Sequence, residues 1–234
     1  MPNTSDDEGR YAFDQQPEIG RWNLEKLGSA LAPVLTKKPM MKILKTYFAT
    51  YYKHYHLLMT QKVGLLPHPS DSAGEAIDKV LIADLLDVME STRSDFTNTF
   101  YAFSSIPRVN DSIETRRDFV RVHLMKGRAE ERDVDKWLDW LDRYSSRLEE
   151  DGDEDNRIER MMRTNPKYVL RNHLAHRAIE MAEDRDYTEV NTLLRVLSSP
   201  FAEDRLSFAE QQEDDVYALP YPSSASPIRV SCSS

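Results

Sequence analysis

The stretch VDKWLDWLDRYSSRL, residues 134–148, decides the fold class of this chain. Its apolar side chains recur at intervals of three and four residues, and charged side chains occupy the opposite side. This spacing is typical of an α-helix with one buried face. The apolar face comprises Val134, Trp137, Leu138, Leu141, Tyr144 and Leu148, and the charged side comprises Asp135, Lys136, Asp139, Asp142 and Arg143. The stretch therefore predicts an amphipathic helix.

The same periodicity recurs along most of the chain. It predicts one long helix between Pro39 and Gly64, one bent helix or two over 77–103, and a shorter helix that contains Phe119, Val122 and Met125 and stops at Gly127. Glycine occurs only seven times, and proline falls mostly between the periodic segments. This distribution favours helices joined by short loops over strands and hairpins. We expect an all-α protein.

Capping signals predict two further helices near the carboxyl end. Asn165 and Pro166 follow an acidic loop and are typical of an N-cap and a first helical position, so a helix should run from there to about Glu183. Thr188 can cap a last helix that ends before Pro200.

The two ends of the chain lack this periodicity. Residues 1–20 predict an extended loop whose aromatic side chains Tyr11 and Phe13 need a surface to lie on. Residues 21–210 predict the helical domain. Residues 211–234 are acidic and then rich in proline and serine, which is typical of an extended tail.

Composition excludes several classes of function. The formal net charge of −9 argues against a nucleic-acid partner, because phosphate contacts need clustered Lys and Arg. No apolar run approaches the roughly 18 residues that span a bilayer, so we expect no membrane partner. The first residues resemble no targeting signal. A single cysteine cannot form an intrachain disulfide, which favours a reducing compartment over secretion.

The residues alone do not indicate an active site, a metal or a cofactor for this chain. The glycines are isolated, whereas phosphate-binding loops need them close together. His173 and His176 lie three residues apart near Glu180, but solvent-facing histidines explain them better than a metal does. The alternating aspartates of 151–155 resemble the start of a calcium loop whose later positions fail, so a solvated acidic loop is the better interpretation.

Cys232 is the only cysteine, and it lies on the predicted tail between serines. A thiol in that setting is solvent-accessible and free to react as the thiolate. Any disulfide that it forms must be intermolecular. The alternative is an inert thiol on a frayed terminus.

Three stretches resemble the selenoprotein O family. They are Asn3 to Phe13 with the nearby Trp22-Asn23-Leu24, Asn165 to Asn172, and Asp186 to Val190. The tail is also similar, because animal members carry selenocysteine at the third position from the end, where Cys232 stands. The resemblance covers essentially the whole chain and is strongest at its two ends.

The resemblance implies a protein-kinase-like fold and an activity. Members of the family hold ATP in an inverted orientation, use magnesium, and transfer AMP to Ser, Thr or Tyr hydroxyls of protein substrates. They are mitochondrial in eukaryotes and cytoplasmic in bacteria. The fold expected for this chain is accordingly the helical carboxyl-terminal-lobe portion of that fold.

The resemblance also implies that the family's nucleotide and metal groups precede the position that matches Met1. We therefore expect a carboxyl-terminal fragment, a partial gene model or a truncated paralogue that does not adenylylate proteins by itself. The loop from Asn3 to Pro17 would correspond to the activation segment, with Arg10 and Tyr11 anchoring it, although packing explains Tyr11 equally well. Some bacterial relatives join this loop to the tail by a disulfide, but the corresponding position here is Pro2.

Two alternatives remain open at this level. One is a non-catalytic helical interaction module with a redox-reactive thiol at Cys232. The other is a chain that has lost its function and exposes apolar helix faces.

Overall fold

The computed structural model describes residues 6–34, 36–69, 72–107, 111–125, 130–201 and 215–220. Within these ranges all regular secondary structure is helical, which confirms the all-α prediction. The α-helices are α1 Gln16–Leu31, α2 Lys37–Leu44, α3 Tyr47–Lys62, α4 Ala73–Thr92, α5 Phe96–Ala102, α6 Ile113–Phe119, α7 Glu131–Asp151, α8 Glu154–Thr164, α9 Asn172–Glu183 and α10 Thr188–Ser198. Shorter turns cover Phe13–Gln15, Phe103–Ser105, Val120–Leu124 and Asp215–Ala218.

The chain divides into two compact units at Leu57 and Leu58, inside α3. The first unit contains α1, α2 and most of α3. Gly28 of α1 lies directly against the side chain of Met40 in α2, where any larger residue would collide. Tyr47, Tyr51 and Tyr55 stack along α3 with ring centroids 6.2 and 6.0 Å apart. The first unit is therefore a small assembly of three helices with an aromatic row.

The second unit is centred on α7, which packs against α4. Trp137, Trp140 and Tyr144 of α7 are fully buried, and each polar atom of these side chains has a partner. The Trp140 indole donates to the carbonyl oxygen of Leu81 at 2.9 Å, and the Tyr144 hydroxyl donates to that of Val63 at 2.5 Å. Large aromatic side chains contribute most when their polar ends are satisfied in this way. The helix predicted from residues 134–148 is thus confirmed and supplies the main core.

A buried ion-pair network extends this core towards the end of α7. Arg147 is 5% exposed and donates to both oxygens of Asp78, at 2.8 and 3.3 Å, to Asp151 at 2.5 Å and to the carbonyl oxygen of Leu66 at 3.0 Å. Asp151 also accepts from the Leu66 amide at 2.7 Å. Buried charges are tolerated when they are paired and hydrogen-bonded. The network fastens the loop after α3 to both α4 and α7.

A second, smaller cluster lies between α9 and α10. Its buried members are Tyr168, Leu174, Ala178, Leu193, Val196 and Tyr217. All but Tyr217 belong to the two helices or to the loop that precedes them. Tyr217 comes from the region that the sequence predicts as tail.

The structure differs from the sequence prediction over residues 39–64. The expected single helix is two, α2 and α3, with a turn at Lys45 and Thr46. The Thr46 hydroxyl donates to the carbonyl oxygen of Ile43 at 2.8 Å, which satisfies a group that a continuing helix would otherwise bond. The segment 77–103 is likewise two helices, α4 and α5, which was one of the two alternatives. Gly127 lies outside the described residues.

The helix expected to begin at Asn165 begins at Asn172 instead. The Asn165 amide does not cap a helix, because it accepts from Lys62 Nζ at 3.0 Å and donates to the Lys62 carbonyl oxygen at 2.7 Å. The next amides, of Lys167 and Tyr168, both donate to the carbonyl oxygen of Pro200. These long-range bonds hold residues 165–171 as a loop. The preceding residues, predicted as an acidic loop, form α8.

The amino-terminal loop is shorter than predicted. The loop was expected to reach residue 20, but α1 begins at Gln16 with Pro17 in its first turn. Proline is favoured there because the missing amide would have no helical partner.

Candidate functional site

The amino-terminal loop, residues 6–12, is organised around a buried carboxylate. Asp6 Oδ1 accepts from the Arg10 amide at 2.9 Å, and Asp6 Oδ2 accepts from the Tyr11 amide at 2.8 Å. Gly9 adopts φ +68°, a left-handed conformation that only glycine takes at low cost, and its amide donates to the Asp6 carbonyl oxygen. One carboxylate therefore orders both residues that the sequence selected, Arg10 and Tyr11.

The side chain of Arg10 fixes this loop to α1. Its guanidinium lies 4.4 Å from the centroid of the Trp22 ring and 5.7 Å from that of the adjacent Tyr11. The ammonium of Lys26 also lies near Trp22, 5.0 Å from the ring centroid. Cation–π contacts at partly exposed positions stabilise by roughly 0.5–1 kcal/mol each. Tyr11 itself remains exposed, so Arg10 is the residue whose side chain anchors the loop.

An open apolar pocket of about 290 Å³ lies in the first unit, among α1, α2 and α3. Leu24 and Ile43 form its apolar walls, and Tyr47, Tyr51 and His54 line the α3 side. Burial, followed by the neighbouring tyrosines, raises the pKa of Tyr51 above its ordinary value. Its hydroxyl therefore keeps its proton throughout the neutral range.

Cys232, the predicted redox-reactive residue, lies outside the described residues. The tail prediction is nevertheless wrong for one described segment. Asp215–Ala218 forms a turn against α9 and α10, and Tyr217 is buried there. The physical reason is the apolar run Val216 to Leu219, which supplies side chains that a solvated tail would lack.

Charged groups surround the point where this segment docks. Lys167 forms an ion pair with Asp215, and its ammonium lies 5.3 Å from the centroid of the Tyr168 ring. Burial alone lowers the pKa of Lys167, but hydrogen bonds to Asp215 and Tyr168 outweigh it and raise the pKa above its usual value. Lys167 is therefore a cation at every physiological pH.

The candidate metal positions carry ordinary ion pairs. His176 lies 3.4 Å from Glu180 on an exposed helix face, and Asp153 pairs with Arg160. Asp151, which the sequence assigned to a solvated loop, is instead part of the Arg147 network. Among the described residues, no three His, Cys, Asp or Glu side chains are grouped closely enough to hold a metal ion. Over the same ranges, no helix has the length and apolar character of a membrane span.

Comparison with known proteins assigns the family. A family model described as "Protein adenylyltransferase SelO" matches residues 1–198. This chain belongs to the SelO family. Among curated SelO relatives, the protein nucleotidyltransferase YdiU of Myxococcus xanthus is 39% identical over 233 residues, and that of Pseudomonas fluorescens strain SBW25 is 36% identical over 234. The Photobacterium profundum protein of the same name is 36% identical over 244 residues.

The coverage of these SelO relatives is asymmetric. Each alignment includes 99% of this chain but only 43% of the relative. The chain thus spans less than half the length of the curated relatives that it matches. The resemblance seen in the sequence is confirmed at the level of the family.

Sequence reasoning missed two elements of this SelO chain that contacts reveal. Tyr217 was assigned to the tail, although the short apolar run between Asp215 and Pro220 was a signal for a docking segment. Asp78 and Arg147 carried no local signal, since they lie 69 residues apart in the sequence and meet only in the fold.

Proposed function

We propose that this chain supplies the helical carboxyl-terminal portion of a SelO-type protein nucleotidyltransferase. The reaction proposed for the whole enzyme is transfer of AMP from ATP to Ser, Thr or Tyr hydroxyls of protein substrates. The observation that carries the proposal is the family match over residues 1–198, combined with the 43% coverage of the relatives. In this proposal, ATP and magnesium are held by the remaining portion of such an enzyme, because the described residues here do not fit a metal ion.

The role proposed for the chain is to position the reacting groups. Nucleotidyl and phosphoryl transfer depend on cations and donors held rigidly around the phosphates. The α4–α7 core, with its satisfied tryptophans, is a rigid support for such groups. The loop at residues 6–12 corresponds to the activation segment of a kinase-like fold, and Arg10 on Trp22 holds that loop in place.

The first test is made on the chain alone. Purified protein is incubated with Mg²⁺ and ATP radiolabelled on its α-phosphorus, together with a mixture of acceptor proteins. We expect no transfer of label and no saturable ATP binding by calorimetry. Transfer of AMP by this chain by itself would contradict the proposal that the reacting groups lie elsewhere.

The second test supplies the portion of a relative that this chain does not match. The part of the Myxococcus xanthus relative that this chain does not match is co-expressed as a separate polypeptide, and labelling is measured with and without the chain. We expect transfer only when both are present. Arg10→Ala should reduce the restored activity, whereas Arg132→Ala, which changes an exposed arginine of α7, should leave it unchanged. Equal effects of both substitutions would remove the loop from the proposal.

A second candidate function is a non-catalytic interaction module with a reactive tail thiol. The docking of residues 215–218 on α9 and α10 favours it, because that contact shows that part of the predicted tail can bind a folded surface. Co-purification of partners with the wild-type chain and with Cys232→Ser tests this candidate. Identical partners in both preparations would exclude a role for the thiol.

A further inference from the structure

The tail segment, residues 215–219, is anchored by two side chains with different kinds of partner. Asp215 pairs with Lys167 at the surface, and Tyr217 inserts between α9 and α10. The intervening Val216 and the following Leu219 remain about half exposed. This alternation of anchored and exposed side chains is how short linear segments bind folded surfaces.

The pocket for Tyr217 is formed by elements that are distant in sequence. Leu174 and Ala178 contribute from α9, Leu193 and Val196 from α10, and Tyr168 from the preceding loop. The small side chain of Ala178 leaves room for a ring. These side chains are mostly apolar, and the inserted tyrosine is only 9% exposed.

A buried carboxylate at the pocket makes it specific for tyrosine. The Tyr217 hydroxyl donates to Glu189 Oε2 at 3.3 Å, and Glu189 is 4% exposed. Arg177 approaches the same oxygen at 3.5 Å, while Oε1 has no hydrogen-bond partner among the described residues. A phenylalanine in this pocket would remove one of the two partners of a buried charge, and that loss is costly.

The second anchor selects an acidic residue two positions earlier. Lys167 is largely buried, with a side chain 15% exposed, and its ammonium faces Asp215. A largely buried cation needs a negative partner because burial otherwise disfavours its charge. The pocket and the cation together recognise the pattern Asp-x-Tyr.

We propose that α9, α10 and the loop 165–171 form a binding surface for a short Asp-x-Tyr segment, and that residues 215–219 occupy it as an exchangeable clasp. The anchors are non-covalent, and the segment belongs to the same chain as the surface that it occupies. A tethered segment competes with a free peptide at an effective concentration on the order of 1 mM. The chain's own segment therefore excludes a competing peptide by mass action rather than permanently.

The test uses a fluorescent peptide with the sequence of residues 213–220, EDDVYALP, and the full chain carrying Tyr217→Ala. The variant should bind the peptide saturably, while the wild-type chain binds it about tenfold more weakly because its own segment competes. Peptides in which the tyrosine is replaced by phenylalanine or alanine should bind progressively more weakly. Adding Lys167→Gln to the variant should weaken binding several-fold and reduce its salt dependence.

Tyr187→Ala is the matched control, since Tyr187 precedes α10 but is exposed. It should behave as the wild-type chain does. The proposal is overturned if the peptide binds the wild-type chain and Tyr217→Ala equally, or if the tyrosine of the peptide does not affect binding. The proposal is also overturned if the peptide binds this chain at a surface other than α9, α10 and the loop 165–171.

A second measurement applies if Tyr217→Ala does not fold. Hydrogen exchange of residues 172–198 is then compared among the wild-type chain, Tyr217→Phe and Lys167→Gln. Weakening either anchor should open the clasp more often and raise exchange over both helices at least several-fold. Unchanged exchange in both variants would overturn the proposal.

Discussion

Removal of Arg147 should destabilise the second unit by about 3–5 kcal/mol, because it leaves buried carboxylates without their cation. In Arg147→Met, the apolar part of the side chain is kept and only the guanidinium is lost. Asp78 is 3% exposed on α4, and among the described residues the basic side chain that then remains near it is that of His68, whose Nε2 lies 3.9 Å away. The substitution thus tests the charge and not the packing.

The magnitude follows from the four hydrogen bonds of the guanidinium. Three go to carboxylate oxygens of Asp78 and Asp151, and one goes to the Leu66 carbonyl oxygen. Each bond to a charged partner contributes about 1.5–3 kcal/mol. The sum of these contributions exceeds the expected loss of stability, because folding also removes the charges of Arg147, Asp78 and Asp151 from water at a cost. A loss of about 3–5 kcal/mol is a large share of the 5–15 kcal/mol that typically stabilises a domain.

The assay is urea unfolding followed by the fluorescence of Trp137 and Trp140, which lie in the same core. With a urea dependence of about 2 kcal/mol per molar, the midpoint should fall by about 2 M. Arg143→Met is the matched control, because Arg143 is on the same helix and pairs with Asp84 at the surface. Exposed pairs contribute roughly 0–1 kcal/mol, so its midpoint should hardly move.

A second substitution should rescue the variant. Replacing Asp78 by leucine in the Arg147→Met background removes the more deeply buried of the two carboxylates that lost their cation. The double variant should recover much of the lost stability, since apolar groups of similar volume often replace a buried ion pair without loss. Equal midpoints for Arg147→Met and Arg143→Met, or a double variant less stable than the single one, would refute the account.

Gly64→Ala should cost about 2–5 kcal/mol in the same urea unfolding assay, because residue 64 has φ +76° and a Cβ there would lie 2.6 Å from Met161 Sδ. Gly152→Ala, at φ +63° with open space around it, should cost only about 1–2 kcal/mol. Burial, and then the charge of Arg171, lowers the pKa of His173 in the folded protein. The unfolded state therefore binds more protons as the pH falls below about 6.5, and the free energy of unfolding should fall on acidification through that range. The fall should be smaller in His173→Gln. Asp6→Ala removes the acceptor of two backbone amides, and their hydrogen exchange should rise by about tenfold or more, while Asp6→Asn should have a smaller effect.

Local periodicity was sufficient for α7 because its helix and its buried face follow from the same spacing. It identified Val134, Trp137 and Tyr144, but it did not include Trp140, which is also buried. Trp140 lies beside the stripe, and its burial depends on the Leu81 carbonyl oxygen of another helix. Sequence thus predicts the central line of a buried face better than its edges.

The capping signal at Asn165 gave a wrong helix start, because the side chain bonds to a residue distant in the sequence. An asparagine side chain can cap a helix, but the side-chain amide of Asn165 is hydrogen-bonded to Lys62, 103 residues earlier. Burial lowers the pKa of Lys62, and the Asn165 oxygen is the acceptor that supports its charge. The hydrogen bonds to Lys62 therefore take the place of the local capping bond that the sequence predicts for Asn165. The residues of the candidate site were likewise not derivable locally: Arg10 and Tyr11 were selected by resemblance, and the contact of Arg10 with Trp22 became visible only in the fold.

Stability measurements can distinguish whether Tyr217 is an exchangeable ligand of the α9–α10 surface or a permanent part of its core. A bound ligand stabilises by RT ln(1 + [L]/Kd). At an effective concentration of about 1 mM and a dissociation constant of about 0.1 mM, the clasp contributes roughly 1.4 kcal/mol.

An integral core aromatic, in contrast, costs about 3–5 kcal/mol on replacement by alanine. Tyr217→Ala should therefore lower the free energy of unfolding of the second unit by about 1–2 kcal/mol if the segment is exchangeable, with Tyr187→Ala close to neutral. Added EDDVYALP peptide at several millimolar should restore the loss in Tyr217→Ala. A loss above 3 kcal/mol that the peptide does not reverse would identify Tyr217 as a permanent member of the α9–α10 core, because a clasp held by mass action cannot contribute more than its effective concentration allows.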